Sequence, residues 1–159
     1  MELTGDELAG VVDLFGALTR EELGEALAEL AYKRREEYDT GGFTDEIGAA
    51  VERYHLIRVE PAALSVDADD PVLVAGPGAF PVLPEGATDL VHILDIDQRE
   101  VDRETAGNAV LDRFRADAAA AVDDGSDSRI ERLVDVSYEL EAWADVDLSA
   151  ERDHLDSAG

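Results

Sequence analysis

The chain has 159 residues, with 39 acids against 13 bases for a net charge of −26, and 45% of its residues are hydrophobic. That length suits one domain of ordinary size with room for an appendage, and the apolar content at regular spacing sets it apart from acidic disordered chains. The absence of cysteine excludes disulfides, thiolate zinc sites, iron–sulfur clusters and cysteine nucleophiles together.

Self-repulsion at this charge density is severe in dilute buffer, whereas at about 1 M salt the Debye length falls to about 3 Å and like charges act only on near neighbours. Twelve of the thirteen basic residues are Arg and only Lys33 is Lys. Together these features point to a salt-loving, haloarchaeal cytoplasm. The opening "MELTGDELAG" has neither a basic n-region nor a continuous apolar stretch, and no run reaches the roughly 18 apolar residues of a membrane span, so a soluble intracellular protein is expected.

In chain order, Thr4 and Glu7 have capping-box spacing, and Leu8, Val11, Val12, Phe15 and Leu18 follow at helical intervals. Thr19 and Glu22 repeat the signature, so the first helix stops at Ala17-Leu18 and a second begins, with Leu23, Ala26, Leu27, Leu30 and Ala31 on its apolar face. It ends at Lys33-Arg34-Arg35, with "YDTGG" as breaker; Thr44 then caps a third helix facing inward through Ile47, Ala50, Val51 and Tyr54. "HLIRVE" (55–60) alternates as a half-buried strand does, and Val72-Leu73-Val74 supplies its partner across a polar loop, "PAALSVDADD".

Three short helices followed by a hairpin give the order of a winged helix, with helices two and three as a helix-turn-helix. The expected fold is mainly α with a small β-hairpin: a winged-helix-like unit over residues 1–84, a helical extension over 85–148 packed on it, and a flexible tail over 149–159. In the extension, "TDLVHILDI" makes a short helix, residues 102–122 a long one through Val110, Leu111, Phe114, Ala118 and Val122, and Ser128 with Glu131 caps a last helix reaching about Ala144. "DDGSDS" reads as the linker between the two long helices.

No charge occurs from Pro71 through Pro84, and the strand-then-glycine pattern at "VLVAGPG" raises the question of a phosphate loop. Such a loop needs Lys followed by Ser or Thr at a helix mouth, but Gly78 is followed by Ala79-Phe80-Pro81. The prolines at 77, 81 and 84 lack amide hydrogens, so the stretch reads as a hairpin exit and an extended strap over the core, anchored by Phe80, Val82 and Leu83.

No catalytic constellation emerges. The three histidines, His55, His92 and His154, have no H-E-x-x-H spacing and no serine sits in G-x-S-x-G. His55 and His92 read as core-edge residues and His154 as part of the tail. Neither "DADDPVLVAGPG" nor "DDGSDSRIERLV" satisfies the glycine and terminal glutamate of a calcium loop, so no metal and no cofactor is expected. A helix-turn-helix reader would use residues 44–55 and the 56–75 hairpin, with Lys33, Arg34, Arg35, Arg53 and Arg58 on phosphates, but Asp45 and Glu46 in the first turn carry the wrong sign. Tyr138 and Trp143 on the last predicted helix are candidate protein-interface aromatics.

The stretches "DELAGVVDLFGALTREEL", "ELAYKR", "VLVAGPGAFPVLPEGATDLVHILD", "RFRADAAAAV" and "LVDVSYELEAWADVDL" resemble a small family of acidic haloarchaeal proteins of unknown function. The resemblance covers most of residues 6–148; it implies source and cytoplasmic location and transfers no chemistry. The expected function is a non-catalytic protein-interaction module with a protein partner and no membrane contact. A DNA-binding transcription regulator is the alternative, and a hydrolase or transferase stands third.

Overall fold

The computed structural model describes residues 2–37, 40–61 and 68–158. They form a mainly helical protein with a small three-stranded antiparallel sheet, in two compact units, Met1–Val101 and Asp102–Gly159. Residues 85–101, assigned to the helical extension on sequence grounds, belong to the first unit.

Unit one opens with helix α1 (Gly5–Phe15), whose capping box is complete: Thr4 Oγ1 accepts from the Glu7 amide and Glu7 Oε1 from the Thr4 amide, both at 3.1 Å. Gly16 ends it at φ 87°, a conformation that costs glycine little. The next two residues form strand β1 (Leu18–Thr19) rather than the end of the helix, pairing with Leu73 and Val72. Thr19 then starts α2 (Arg20–Lys33) with a second reciprocal capping box to Glu22. One threonine therefore ends a strand and caps a helix, a double role that local periodicity conceals.

Helix α3 spans Thr40–Glu52, four residues longer at its start than predicted. The apolar row is the cause: Phe43 is buried one turn before Ile47 and Ala50, so the helix must begin early enough to place it. Thr44 is thus an interior residue, not a cap, and its carbonyl accepts from Arg20 Nη2 at 3.2 Å. Of the expected breaker, Tyr38 and Asp39 lie outside the described residues, while 40–42 already belong to α3. Tyr54 reverses the chain at φ 63° into β2 (Leu56–Val59), which pairs antiparallel with β3 (Val72–Ala75) in register Leu56↔Ala75 through Val59↔Val72. Residues 62–67 of the predicted polar loop are outside the described residues.

The sheet order is β1-β3-β2, so β3 is the central strand and its Val72, Leu73 and Val74 are all buried. The element order α1-β1-α2-α3-β2-β3 is compatible with a winged-helix arrangement. A single apolar cluster joins Leu8, Val12 and Phe15 of α1 to Leu23, Leu27 and Leu30 of α2, Phe43 and Ile47 of α3, and Leu56 and Leu73 of the sheet. A 3₁₀ turn (Ala87–Asp89) leads into the short α4 (Leu90–Ile93), where Ala87 and Leu90 complete the cluster. His92, expected at a core edge, is exposed on that turn.

Unit two contains α5 (Arg103–Asp124), α6 (Asp127–Trp143) and α7 (Ser149–Ala158), packed pairwise. The linker read in "DDGSDS" shrinks to Gly125, left-handed at φ 64°, and Ser126; Ser128, the predicted cap, sits inside α6. Phe114, Leu133 and Leu140 are buried on the facing helices. The tail read as mobile forms α7, with Leu148 and Leu155 wholly buried and His154 exposed on its outer side. Two buried leucines among charged residues suffice because Arg152 Nη1 and Nη2 reach Glu141 Oε1 and Oε2 at 2.6 and 3.3 Å, fixing α7 to α6.

Candidate functional site

The uncharged stretch starting at Pro71 has two parts with opposite environments. Gly76 and Gly78 lie against the chain reversal after α3: their amides donate to the carbonyls of His55 and Tyr54 at 2.9 and 2.8 Å. A Cβ at either glycine would lie 2.4 and 2.6 Å from the carbonyl oxygens of Tyr54 and Arg53. These glycines serve close backbone approach, and their N–H groups already have acceptors within the protein.

Beyond the turn the chain runs extended over the start of α1. The Phe80 amide donates to Asp6 Oδ1 and the Val82 amide to the Asp6 carbonyl, each at 3.0 Å. The Val82 carbonyl lies so close to α1 that a Cβ on Gly10 would sit 2.0 Å from it. The strap is therefore real, but its anchoring differs from expectation. Phe80 is 81% exposed, Val82 51% and Leu83 46%, so the three side chains read as anchors face solvent and the backbone does the holding. Asp6 and Gly10, which sequence reading passed over, take that role. The cause is geometric: with the backbone edge turned onto α1, side chains at 80 and 82 have only the outer side available. Pro84 and Ala87 return the chain to the core.

The candidate DNA contacts are dispersed. Lys33 Nζ reaches the Gly86 carbonyl at 2.8 Å and Asp89 Oδ2 at 3.4 Å. Arg34 pairs with Glu36 at 3.0 Å, and Arg35 is exposed at φ 55° just past α2. Arg58 lines a groove of about 890 Å³ between α2, α3 and the sheet, floored by Phe43, Ile47 and Leu73 and rimmed by Arg20, Glu21 and Glu25. Arg53 lines a separate cleft of about 370 Å³ with Asp6, Glu46 and His55. The outer face of α3 presents Asp45 and Glu52 to solvent.

In that smaller cleft His55 Nδ1 lies over the first turn of α1, where a Cβ on Gly5 would come within 1.8 Å. Glu46 Oε2 is buried with no hydrogen-bond partner among the described residues. Burial pushes the Glu46 carboxyl up, against the opposing hydrogen bond from the Leu3 backbone. Within unit one, His92 does not line this cleft. Among the described residues no group of three or more His, Cys, Asp or Glu side chains is placed to hold a metal ion.

Tyr138 and Trp143 both lie on α6, each under an arginine. Arg152 stacks on the Tyr138 ring at 4.2 Å and Arg103 on the Trp143 ring at 4.4 Å, also donating to the Trp143 carbonyl at 3.2 Å. Tyr138 is 58% exposed and Trp143 partly buried, so one face of each ring is occupied from within the unit.

Among the described residues no helix is long and apolar enough to cross a membrane. No curated protein and no solved structure gives a significant match to the chain. A family model does, described as a family of unknown function and matching residues 6–159, a span that takes in the Thr19–Glu22 capping box, the glycine turn, the strap and the helices of unit two. The chain belongs to this family of unknown function, DUF7109.

Proposed function

We propose that this protein is a non-catalytic protein-interaction module of a haloarchaeal cytoplasm, in which a winged-helix-like first unit presents the strap 80–83 to a protein partner. One observation carries the reading. In a chain where a third of the residues are charged, four consecutive apolar residues, Phe80-Pro81-Val82-Leu83, are displayed to solvent on a backbone fixed by two hydrogen bonds. Exposed apolar surface in contiguous form marks binding sites, and a fixed backbone limits the ordering entropy lost on association. Concentrated salt screens the −26 charge and leaves apolar burial as the available driving force.

The DNA-regulator alternative draws on the compatible element order, but Lys33 and Arg34 already face Asp89 and Glu36, and α3 turns acids outward. Affinity purification from native cells in molar KCl, with wild type beside a Phe80→Ser/Val82→Ser/Leu83→Ser variant, tests the choice. The module reading expects one stoichiometric protein partner with wild type and its loss with the variant. Retention of nucleic acid alone, or of the same protein by both baits, overturns it.

A further inference from the structure

We infer that the strap is itself the ligand in the interaction proposed above: a polyproline-II-type element that inserts into an aromatic-lined, basic-flanked groove on the partner protein. The inference rests on the interaction reading and adds its mode.

The hydrogen-bonding inventory of the strap selects this mode over strand addition. Residues 79–84 belong to no helix or ladder. The amides of Phe80 and Val82 both point inward to Asp6, and the alternate, outward-facing positions are Pro81, which has no amide hydrogen, and Leu83. A strand added to this edge would lack the regular row of donors a ladder needs. Prolines at 81 and 84 fix their own φ and restrict Phe80 and Leu83 to extended conformations, which favours a left-handed extended helix over 80–83, with Pro81 displayed and Pro84 buried where the ridge ends. Such elements offer carbonyl acceptors and apolar ridges, and their receptors answer with tryptophan and tyrosine rings that stack and donate.

Charge sets the flank of the receptor. From residue 71 to residue 98 there is no Lys or Arg, while Glu85, Asp89, Asp95 and Asp97 are acids, and the α1 end that carries the strap adds Glu2, Asp6, Glu7 and Asp13; the bases beside them in space are Lys33, paired with Asp89, and Arg53, which shares a cleft with Asp6, so acids remain in excess. Glu85 is exposed directly after Pro84. An acidic surround with an uncharged ridge is complementary to a groove whose floor is aromatic and whose border carries Lys or Arg.

The test uses the full chain with Phe80→p-benzoylphenylalanine, photolysed in native-cell extract at molar KCl, followed by mapping of the cross-linked peptides. Support is cross-linking to one protein, at peptides containing Trp or Tyr with Lys or Arg beside them, and a fall in yield of about two- to fivefold when Pro81→Ala is added. Val82→Ser, which keeps both backbone bonds to Asp6, is a second variant expected to lower the yield, and circular dichroism verifies that each variant is folded. Three results overturn the inference while leaving an interaction module standing: cross-links to a second copy of this chain, cross-links to a surface without aromatic and basic residues, or a yield indifferent to Pro81→Ala. Absence of any protein adduct overturns the interaction reading and this inference with it.

Discussion

Replacing Arg99 by alanine is the sharpest test of how unit one holds together. Residues 94–101 leave α4 without regular structure, yet Arg99 locks them across the α1–β1 corner. Its amide donates to the Phe15 carbonyl at 2.7 Å, its Nη1 to the Ala17 carbonyl at 2.9 Å and to Glu22 Oε1 at 2.6 Å, and its Nη2 to Glu22 Oε2 at 3.0 Å. The side chains are only 12% and 22% exposed, so salt screens this pair poorly. A hydrogen bond to a charged group contributes roughly 1.5–3 kcal/mol, but the bonds of Arg99 to Glu22 and Ala17 act as one non-additive unit, and the part-exposed Glu22 regains water while keeping its bond to the Thr19 amide, so Arg99→Ala is expected to cost about 2 kcal/mol. For a unit of this size that is a drop of roughly 8–16 °C in Tm. Hydrogen exchange of the α1 and α2 amides reads it directly, whereas the fluorescence of Trp143, the sole tryptophan, reports on unit two. The pH dependence gives a second readout. Burial raises the Glu22 carboxyl, but the Arg99 and Thr19 hydrogen bonds outweigh it and hold the group below the ordinary glutamate range. Its contribution is therefore present above the unfolded-state value and lost as pH falls through the folded one, and Arg99→Ala flattens that loss. A cost below about 0.5 kcal/mol, the range of an exposed ion pair, refutes the reasoning.

Two glycine replacements separate open space from close approach. Gly48→Ala on the exposed side of α3 meets nothing within 4 Å and should stabilise unit one by about 0.5–1 kcal/mol in thermal unfolding. Gly10→Ala drives a methyl into the Val82 carbonyl, so a loss of about 1–3 kcal/mol accompanied by faster exchange of the Val82 amide is expected. Glu46→Gln should raise stability at neutral pH: with the folded-state carboxyl pushed up by burial, stability falls as pH rises through the unfolded value towards the folded one, and the amide abolishes that fall in a pH series of denaturant midpoints. In unit two, Arg152→Met removes partners from Glu141, Ser137 and the Tyr138 ring at once, and exchange of the α7 amides should accelerate well before that of α5.

The elements whose signal is local were legible in the sequence. Both capping boxes form with the residues read from Thr4, Glu7, Thr19 and Glu22, because a box is specified by two side chains three positions apart. The buried face of β3 and the long helices of unit two follow in the same way from periodicity. What escaped reading depends on partners distant in sequence. Strand β1 exists only because Leu73 lies opposite Leu18, and α7 holds its place through Glu141 and Arg152, eleven positions apart with a turn between them. The extended course of the strap was legible from its prolines, but its orientation was decided by Asp6, more than seventy positions earlier.

That orientation bears on why so acidic a chain keeps an uncharged stretch at all. A segment meant only to cover a core would point its large side chains inward, as Val72 and Leu73 do while their backbone pairs with a strand on either side. Residues 80–83 do the reverse: the donors face α1, and the apolar groups face water at a cost in solvation that the folded unit does not recover. Replacing Phe80 by Asp or Glu would lower that cost and match the surrounding surface, with no buried contact of its side chain to lose. Under the proposed function, a hydrophobic ridge held against that gradient would find its compensation on a partner, and a protein groove would supply both apolar cover and hydrogen-bond donors to the strap's carbonyls.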